Sequence, residues 1–208
     1  MTSVPSQPPE PQGHLLLLRH GETEWSKSGQ HTGVTDLALL PEGEEAARRV
    51  AKLIEGWTFE KVVVSPLQRA RRTAALAGLT EYTIDPRLVE WDYGGYEGLT
   101  TKEIRARLGY RWTVFEDGVV PGETPGETVE AVAARAAAVL RDLMPTLETG
   151  NAALVGHGHC LRILATVFLR QEVRMGAQLL LDAGSISVLE WEREQPAIRT
   201  WNQKTLSH

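Results

Sequence analysis

An arginine and a histidine stand side by side at Arg19 and His20, directly after the apolar run His14-Leu15-Leu16-Leu17-Leu18. Such a run reads as a buried strand, and in open α/β sheets ligands gather outside the carboxyl ends of the strands. A guanidinium beside an imidazole suits a phosphoryl group there, because the cation holds the anion while an unprotonated ring nitrogen attacks phosphorus. One Arg-His-Gly is weak evidence, but three further strand-end positions are chemically loaded. They are Arg69, one turn into the helix expected after the second strand, Glu90 before a glycine-rich stretch, and His157 after the late apolar run Ala152-Ala153-Leu154-Val155. Two guanidiniums and two imidazoles converging on one crevice would hold a phosphate dianion through charge-assisted hydrogen bonds. A leaving alkoxide needs a proton, and Glu90, poised near neutral pH by burial, is the candidate donor. A helix amide terminus near Ser65-Pro66 would add to the same positive field. This chemistry requires no metal.

These residues need a scaffold, and 208 residues suffice for one well-buried domain. Apolar residues at 42% and charged residues at 24% are ordinary globular usage, which argues against disorder over most of the chain. Residues 1–13 are the exception: Pro5, Pro8, Pro9 and Pro11 among Ser, Gln and Thr predict a flexible tail, with the domain spanning 14–208. That start carries no cationic leader, and four leucines are too few for a membrane span, so a cytoplasmic protein without membrane partners is expected. The single cysteine, Cys160, excludes an intramolecular disulfide, and a net charge of −5 argues against nonspecific nucleic-acid binding.

Strands and helices alternate along the sequence. Pro41 opens a helix through Ala46, Val50 and Leu53; Val62-Val63-Val64 is a short strand; Ser65-Pro66 is expected to cap and start the helix running to Gly78. A weaker strand lies near Tyr82 to Ile84, a short helix at 101–108, a long amphipathic helix from Thr128, and further strands at Ile186 to Trp191 and Ala197 to Trp201. The order implies an α/β protein, a three-layer α/β/α sandwich with a mostly parallel central sheet. The aperiodic stretch 109–126, with Trp112 and Phe115, predicts a lid inserted between Glu90 and Thr128.

Five ordered motifs resemble the histidine phosphatase superfamily, also called phosphoglycerate mutase-like. They are R-H-G-E-T-E-W at 19–25, S-P-L-Q-R-A-R-R-T-A at 65–74, E-W-D-Y-G-G-Y-E-G at 90–98, G-E-T at 126–128 and V-G-H-G-H at 155–159. The resemblance implies that His20 is a phosphohistidine nucleophile, that Arg19, Arg69 and His157 hold the transferred phosphoryl, and that Glu90 is the acid that later activates water. It places substrate contacts at Thr23, Ser26, Thr32, Gly33, Tyr93, Gly158 and His159, with specificity also expected from Lys27, Trp112 and Phe115.

Within the family the choice lies between phosphatase and cofactor-dependent mutase, the latter requiring 2,3-bisphosphoglycerate. This chain departs from the mutase pattern: the family's two asparagines fall at Ser26 and His159, its lysine falls at Thr101, and the lid reads Arg111-Trp112-Thr113-Val114-Phe115 without an arginine pair. The segments 23–37 and 157–162 are instead similar to fungal sedoheptulose-bisphosphatase and bacterial acid phosphatases. The expected protein is therefore a phosphatase of small phosphorylated metabolites, sugar phosphates or bisphosphates, acting as monomer or homodimer without a cofactor. A mutase and an inactive phosphate-binding module are the alternatives.

Other polar residues have plainer readings. Arg71 and Arg72 are expected to be solvated helix arginines, and Glu22 and Glu97 to support loops. The H-x-H of His157 and His159 could supply two metal ligands, but no third histidine motif completes such a site. Cys160 lacks the downstream arginine of a tyrosine-phosphatase loop, Thr166 standing there, and there is no P-loop.

Overall fold

The computed structural model describes residues 11–205. The four leucines that open the domain are part of strand β1 (Leu15–Arg19), and all four are completely buried. Alternate side chains leave opposite faces of a strand, so a run this apolar requires both faces to be covered. Leu15 and Leu17 pack with Leu140, Leu143, Leu161 and Leu164 on one side, while Leu16 and Leu18 pack with Val50, Ala70 and Ala74 on the other.

The covering helices on the first face are α6 (Val129–Leu147) and α7 (Gly158–Phe168); on the second they are α2 (Pro41–Leu53) and α3 (Gln68–Leu76). Between them lies a six-stranded sheet in the order β3-β2-β4-β1-β5-β6, formed with β2 (Phe59–Val64), β3 (Thr83–Ile84), β4 (Asn151–Gly156), β5 (Ile186–Glu192) and β6 (Gln195–Gln203). The first four strands in that order run parallel, β5 runs antiparallel to β1, and β6 reverses again against β5, so the sheet is mixed.

The remaining helices are short. Helix α1 (Glu24–Ser28) lies in the first loop, and α4 (Thr101–Leu108) is bracketed by a Thr100–Glu103 capping box and a left-handed Gly109. Helix α5 (Val114–Asp117) falls inside the stretch expected to be irregular. The insertion after Glu90 has its own core of Trp91, Tyr96, Ile104, Trp112, Phe115 and Val132.

Two expectations change. Residues 1–10 of the anticipated tail lie outside the described residues, but the tail's last two residues do not hang free. Gln12 and Gly13 donate backbone hydrogen bonds to Glu148 and Leu147 at the end of α6, and Gly13 is buried. Ser65 is not the N-cap: α3 begins at Gln68 after Leu67, and the Ser65 hydroxyl accepts the Leu67 amide at 3.4 Å and meets His157 more closely, at 2.7 Å. Among the described residues no helix is long and apolar enough to cross a membrane.

Candidate active site

Parallel pairing of β1 with β4 sets Arg19 opposite Gly156, so His20 and His157 are the next residues out on neighbouring strands. Their ring centroids lie 5.1 Å apart, and the His20 amide closes the ladder on the Gly156 carbonyl. Gly21 then turns the chain against Gly43, where a Cβ would sit 2.3 Å from the Gly43 carbonyl oxygen.

His20 is 5% exposed, and its Nδ1 lies 2.7 Å from the Gly21 carbonyl oxygen. A carbonyl can only accept, so Nδ1 carries the proton and Nε2 keeps its lone pair. Burial, then Arg19 and Arg69, hold the imidazole pKa well below its ordinary value. The ring is therefore neutral, as an attacking nitrogen requires.

His157 is fixed in the opposite tautomer. Its Nδ1 accepts from Arg69 Nε at 3.2 Å, so Nε2 bears the proton and donates to Ser65 Oγ at 2.7 Å. Burial first, then Arg69 and His20, also depress its pKa. Both nitrogens thus have protein partners, and direct contact with a ligand requires one partner to yield.

Arg69 is completely buried and reaches past His157 to the Thr35, Thr32 and Gly33 carbonyls, which leaves an Nη1 hydrogen uncommitted. Arg19 donates Nη1 to the Leu181 carbonyl, and its buried Nε has no partner. It lies against Gly158, where a Cβ would come within 3.2 Å of the guanidinium. Desolvation lowers the pKa of both arginines.

Glu90 sits at the amino end of α7. Its Oε1 accepts the Trp91 and Cys160 amides, both at 2.8 Å, and its Oε2 accepts the His159 amide at 3.0 Å. The carboxylate is held by backbone donors and by the helix end, not by a side-chain cation. The segment carrying it is clamped by Arg135, which donates to the carbonyls of Arg87, Val89 and Glu90 and pairs with Glu127 at 2.9 Å.

A cavity of about 250 Å³ opens beside these groups, lined by Arg19, His20, Glu90, Tyr93, His159 and Arg162 among others, while Arg69 and His157 are fully buried and do not line it. Ser26, Thr32 and Gly158 also line it, as expected, and Gln30, His31, Thr101 and Leu181 complete much of the wall. The Tyr93 hydroxyl bonds His159 Nδ1 at 2.5 Å, and the His31 ring lies tilted beside Tyr93 with centroids 4.7 Å apart. Desolvation brings the His31 pKa down to about 4 and holds His159 well below its usual value. The pocket's histidines are thus neutral, and its charges are guanidiniums and one glutamate.

Several expected contacts are committed elsewhere. Thr23 is fully buried as the N-cap of α1, in a reciprocal capping box with Ser26. The Gly33 amide is taken by Glu97, which also binds the Thr35 amide and so supports the loop as anticipated. Lys27 faces Glu42 and Glu22. The amide end of α3 is filled by Asp36, which accepts from Gln68, so it does not serve the pocket. Trp112 and Phe115 are 1% and 3% exposed and pack behind His31 and His159.

The H-x-H pair does not converge, since His157 faces Arg69 and Ser65 while His159 faces Tyr93. Cys160 is buried, and burial raises its thiol pKa to about 11. Arg72 pairs with Glu44 on the surface, in line with a solvated reading.

Sequence reasoning missed three groups. Arg162 was visible only as the end of the H-G-H-C-L-R run, His31 as a loop residue, and Arg135 as one arginine of an amphipathic helix. Helical spacing held a signal for the first: Arg162 follows His159 by three residues and shares its face.

The geometry described defines a class. A family model of the histidine phosphatase superfamily (branch 1) matches residues 15–204, and the chain belongs to that family. It is 36% identical over 180 residues to an acid phosphatase of Mycobacterium tuberculosis, covering 86% of each chain. It is 33% identical to the sedoheptulose 1,7-bisphosphatase of Saccharomyces cerevisiae, over 74% of this chain and 66% of that one. Mutases are relatives too: the 2,3-bisphosphoglycerate-dependent phosphoglycerate mutase of Azorhizobium caulinodans is 32% identical, over 86% of this chain and 97% of that protein. The solved structure of open reading frame Rv3214 from Mycobacterium tuberculosis superposes with a TM-score of 0.86 at 33% identity, over 93% of this chain and 98% of the other.

Proposed function

We propose that the protein is a metal-independent phosphatase of small phosphomonoesters that works through a phosphohistidine on His20. The observation that carries this reading is the His20 ring. Its Nδ1 is held by the Gly21 carbonyl, and its free Nε2 stands beside the unneutralised Arg19 at the wall of a small cavity.

In the first step Nε2 forms a bond to phosphorus while the ester P–O bond breaks, and Glu90 passes to the departing alkoxide a proton that it takes up with the bound phosphomonoester. In the second, the Glu90 carboxylate takes a proton from water as the oxygen attacks phosphorus. The P–N bond breaks, and inorganic phosphate and neutral His20 remain. Arg19 and Arg69 stabilise the charge that develops on the phosphoryl oxygens. His157, set by Arg69 and Ser65, keeps the wall behind the nucleophile fixed.

Phosphatase is favoured over mutase by the lid side of the cavity. Thr101 lines it where the mutase pattern has a lysine, and Arg111 is exposed. The cavity therefore has fewer cations than a site that must seat a bisphosphate in two orientations. Sugar phosphates or bisphosphates are the proposed substrates, in line with the names of the acid phosphatase and bisphosphatase relatives.

The deciding experiment is acid-labile labelling. Brief incubation with a ³²P-phosphoester in EDTA should label the parent and not His20→Ala, with phosphate release lost in parallel. Equal turnover by His20→Ala would overturn the mechanism. Interconversion of phosphoglycerates, stimulated by 2,3-bisphosphoglycerate well above the rate of phosphate release, would establish the mutase.

A further inference from the structure

The insertion after Glu90 ends in a tandem repeat, Pro121-Gly122-Glu123-Thr124 followed by Pro125-Gly126-Glu127-Thr128. Only the second copy starts a helix. Thr128 is the N-cap of α6 and accepts the Ala131 amide at 3.1 Å, but the alanine at that third position has no side chain to bond back. A stronger start stands one turn upstream. Thr124-Pro125-Gly126-Glu127 offers a threonine N-cap, proline at the first helical position and glutamate at the third, the arrangement of a capping box. The same chain uses that chemistry at α4, between Thr100 and Glu103.

Asp92 holds the upstream signal off. Its carboxylate accepts the Thr124 hydroxyl, the Gly126 amide at 3.2 Å and the Gly94 amide at 2.9 Å. Its backbone pairs with Glu127, donating to the carboxylate at 3.0 Å and accepting the amide at 2.9 Å. Gly126 is held at a φ of +75°, a left-handed conformation that cannot continue a right-handed helix. The hydroxyl that would cap and the carboxylate that would reach back are both engaged elsewhere, the latter also by Arg135.

The other side of this seam carries part of the cavity wall. Asp92 stands between Glu90 and Tyr93, both of which line the cavity, and its bond to the Gly94 amide closes the turn through Tyr93. Tyr93 in turn meets His159, whose amide donates to Glu90. An α6 that began at Pro125 would take Thr124, Gly126 and Glu127 from Asp92 together.

We infer that Asp92 is a positioning residue for Glu90 and Tyr93, and that it acts by keeping the turn Pro125 to Thr128 unwound against residues 90–94. Its kinetic consequence rests on the proposed phosphatase site. Its structural consequence does not: without the Asp92 carboxylate, α6 gains a turn at its amino end and the wall around Glu90 loosens.

Asp92→Ala tests this in the full chain by amide hydrogen exchange and steady-state kinetics. Val129 and Glu130 open α6 and have no carbonyl behind them within the helix. In the variant they acquire the Pro125 and Gly126 carbonyls, so their protection should rise roughly fivefold or more, the scale of one backbone hydrogen bond. The His159 and Cys160 amides, which donate to Glu90, should lose protection at the same time. A residue that only stabilised the fold would lower protection at all four. With glycerol 3-phosphate kcat should fall roughly 10- to 100-fold, and further than with para-nitrophenyl phosphate, whose leaving group needs no acid.

Gly126→Ala keeps Asp92 but disfavours the left-handed turn, and its Cβ would sit 2.6 Å from Val119 Cγ2. It should give the same pattern, which decides the matter if Asp92→Ala folds poorly. Adding Thr124→Ala to Asp92→Ala removes the upstream cap, so exchange at Val129 and Glu130 should return to parental values and part of kcat should recover. Unchanged or lowered protection at Val129 and Glu130 in both single variants would overturn the assignment, as would a lengthened helix with parental kcat. If the parent releases no phosphate, the phosphatase reading fails, and Asp92 is decided by exchange at Val129, Glu130, His159 and Cys160 alone.

Discussion

Arg69 donates its Nε hydrogen to Nδ1 of His157 at 3.2 Å, and this bond decides which nitrogen of His157 carries a proton. The Nε2 hydrogen that follows is satisfied by Ser65 Oγ in a place without access to water. The His20 ring is fixed the other way round by the Gly21 carbonyl. Two adjacent imidazoles therefore hold complementary tautomers, one presenting a lone pair and the other locked as a buried support.

Ser65→Ala should remove the only described acceptor of that Nε2 hydrogen and leave a buried donor unpaired. The expected loss is about 1–3 kcal/mol of stability, read by urea denaturation. Turnover should fall as well, because the His157 ring loses one of the two bonds that fix its orientation beside His20; Ser65→Thr, which restores a hydroxyl, should recover part of both.

Glu90→Gln should lower turnover by about 10²- to 10⁴-fold while inorganic phosphate binds with little change. The loss should depend on the leaving group. An alkyl phosphate needs the proton from Glu90, whereas para-nitrophenol leaves readily, so with the aryl ester a burst of phenol should precede slow release of phosphate. Stopped-flow absorbance distinguishes the two steps. Equal losses on both esters without a burst would remove Glu90 from the role of acid.

Acid should destabilise the fold through its buried histidines. His20, His31, His157 and His159 all have pKa values lowered, first by burial, below the ordinary value of 6.5. Below pH 6.5 the unfolded chain binds protons that the folded chain refuses, so stability must fall as pH falls. For His31 the loss accrues between 6.5 and about 4 and stops there, a contribution on the order of 3 kcal/mol. Thermal melts from pH 7 to 4 should decline, and His31→Gln should flatten the curve in that interval.

Arg135→Met should cost about 3 kcal/mol, because it leaves Glu127 without its partner and frees the carbonyls of Arg87, Val89 and Glu90. Since those carbonyls place Glu90, kcat should fall further than the affinity for phosphate. A variant with parental kcat and lowered stability alone would limit Arg135 to a structural role.

The scaffold was legible because its signals are local. Four consecutive leucines could only be a strand covered on both faces, and the strand ends then located Arg19, His20 and His157. What the sequence hid were groups whose roles depend on partners distant along the chain. Arg162 and Arg135 look like any solvated helix arginine until the Gly176 and Glu90 carbonyls come into view. Thr23 and Gly33 stand close in sequence to Arg19 and His20, but in the fold α1 capping and Glu97 engage their polar groups. Trp112 and Phe115 were placed correctly in the lid, yet hydrophobic packing turned them inward behind the histidines that line the cavity.

The pairing of Arg19 with Gly156 has a consequence for how such a protein can diversify. The spacing of the two histidines is written in the hydrogen-bond ladder of adjacent strands, so it is indifferent to the length and composition of everything threaded between them. Loops and short helices over the cavity can be lengthened, shortened or exchanged while the His20 ring keeps its address. The paired imidazoles are inherited with the sheet, and the outline of the cavity is left to parts that can drift without disturbing them.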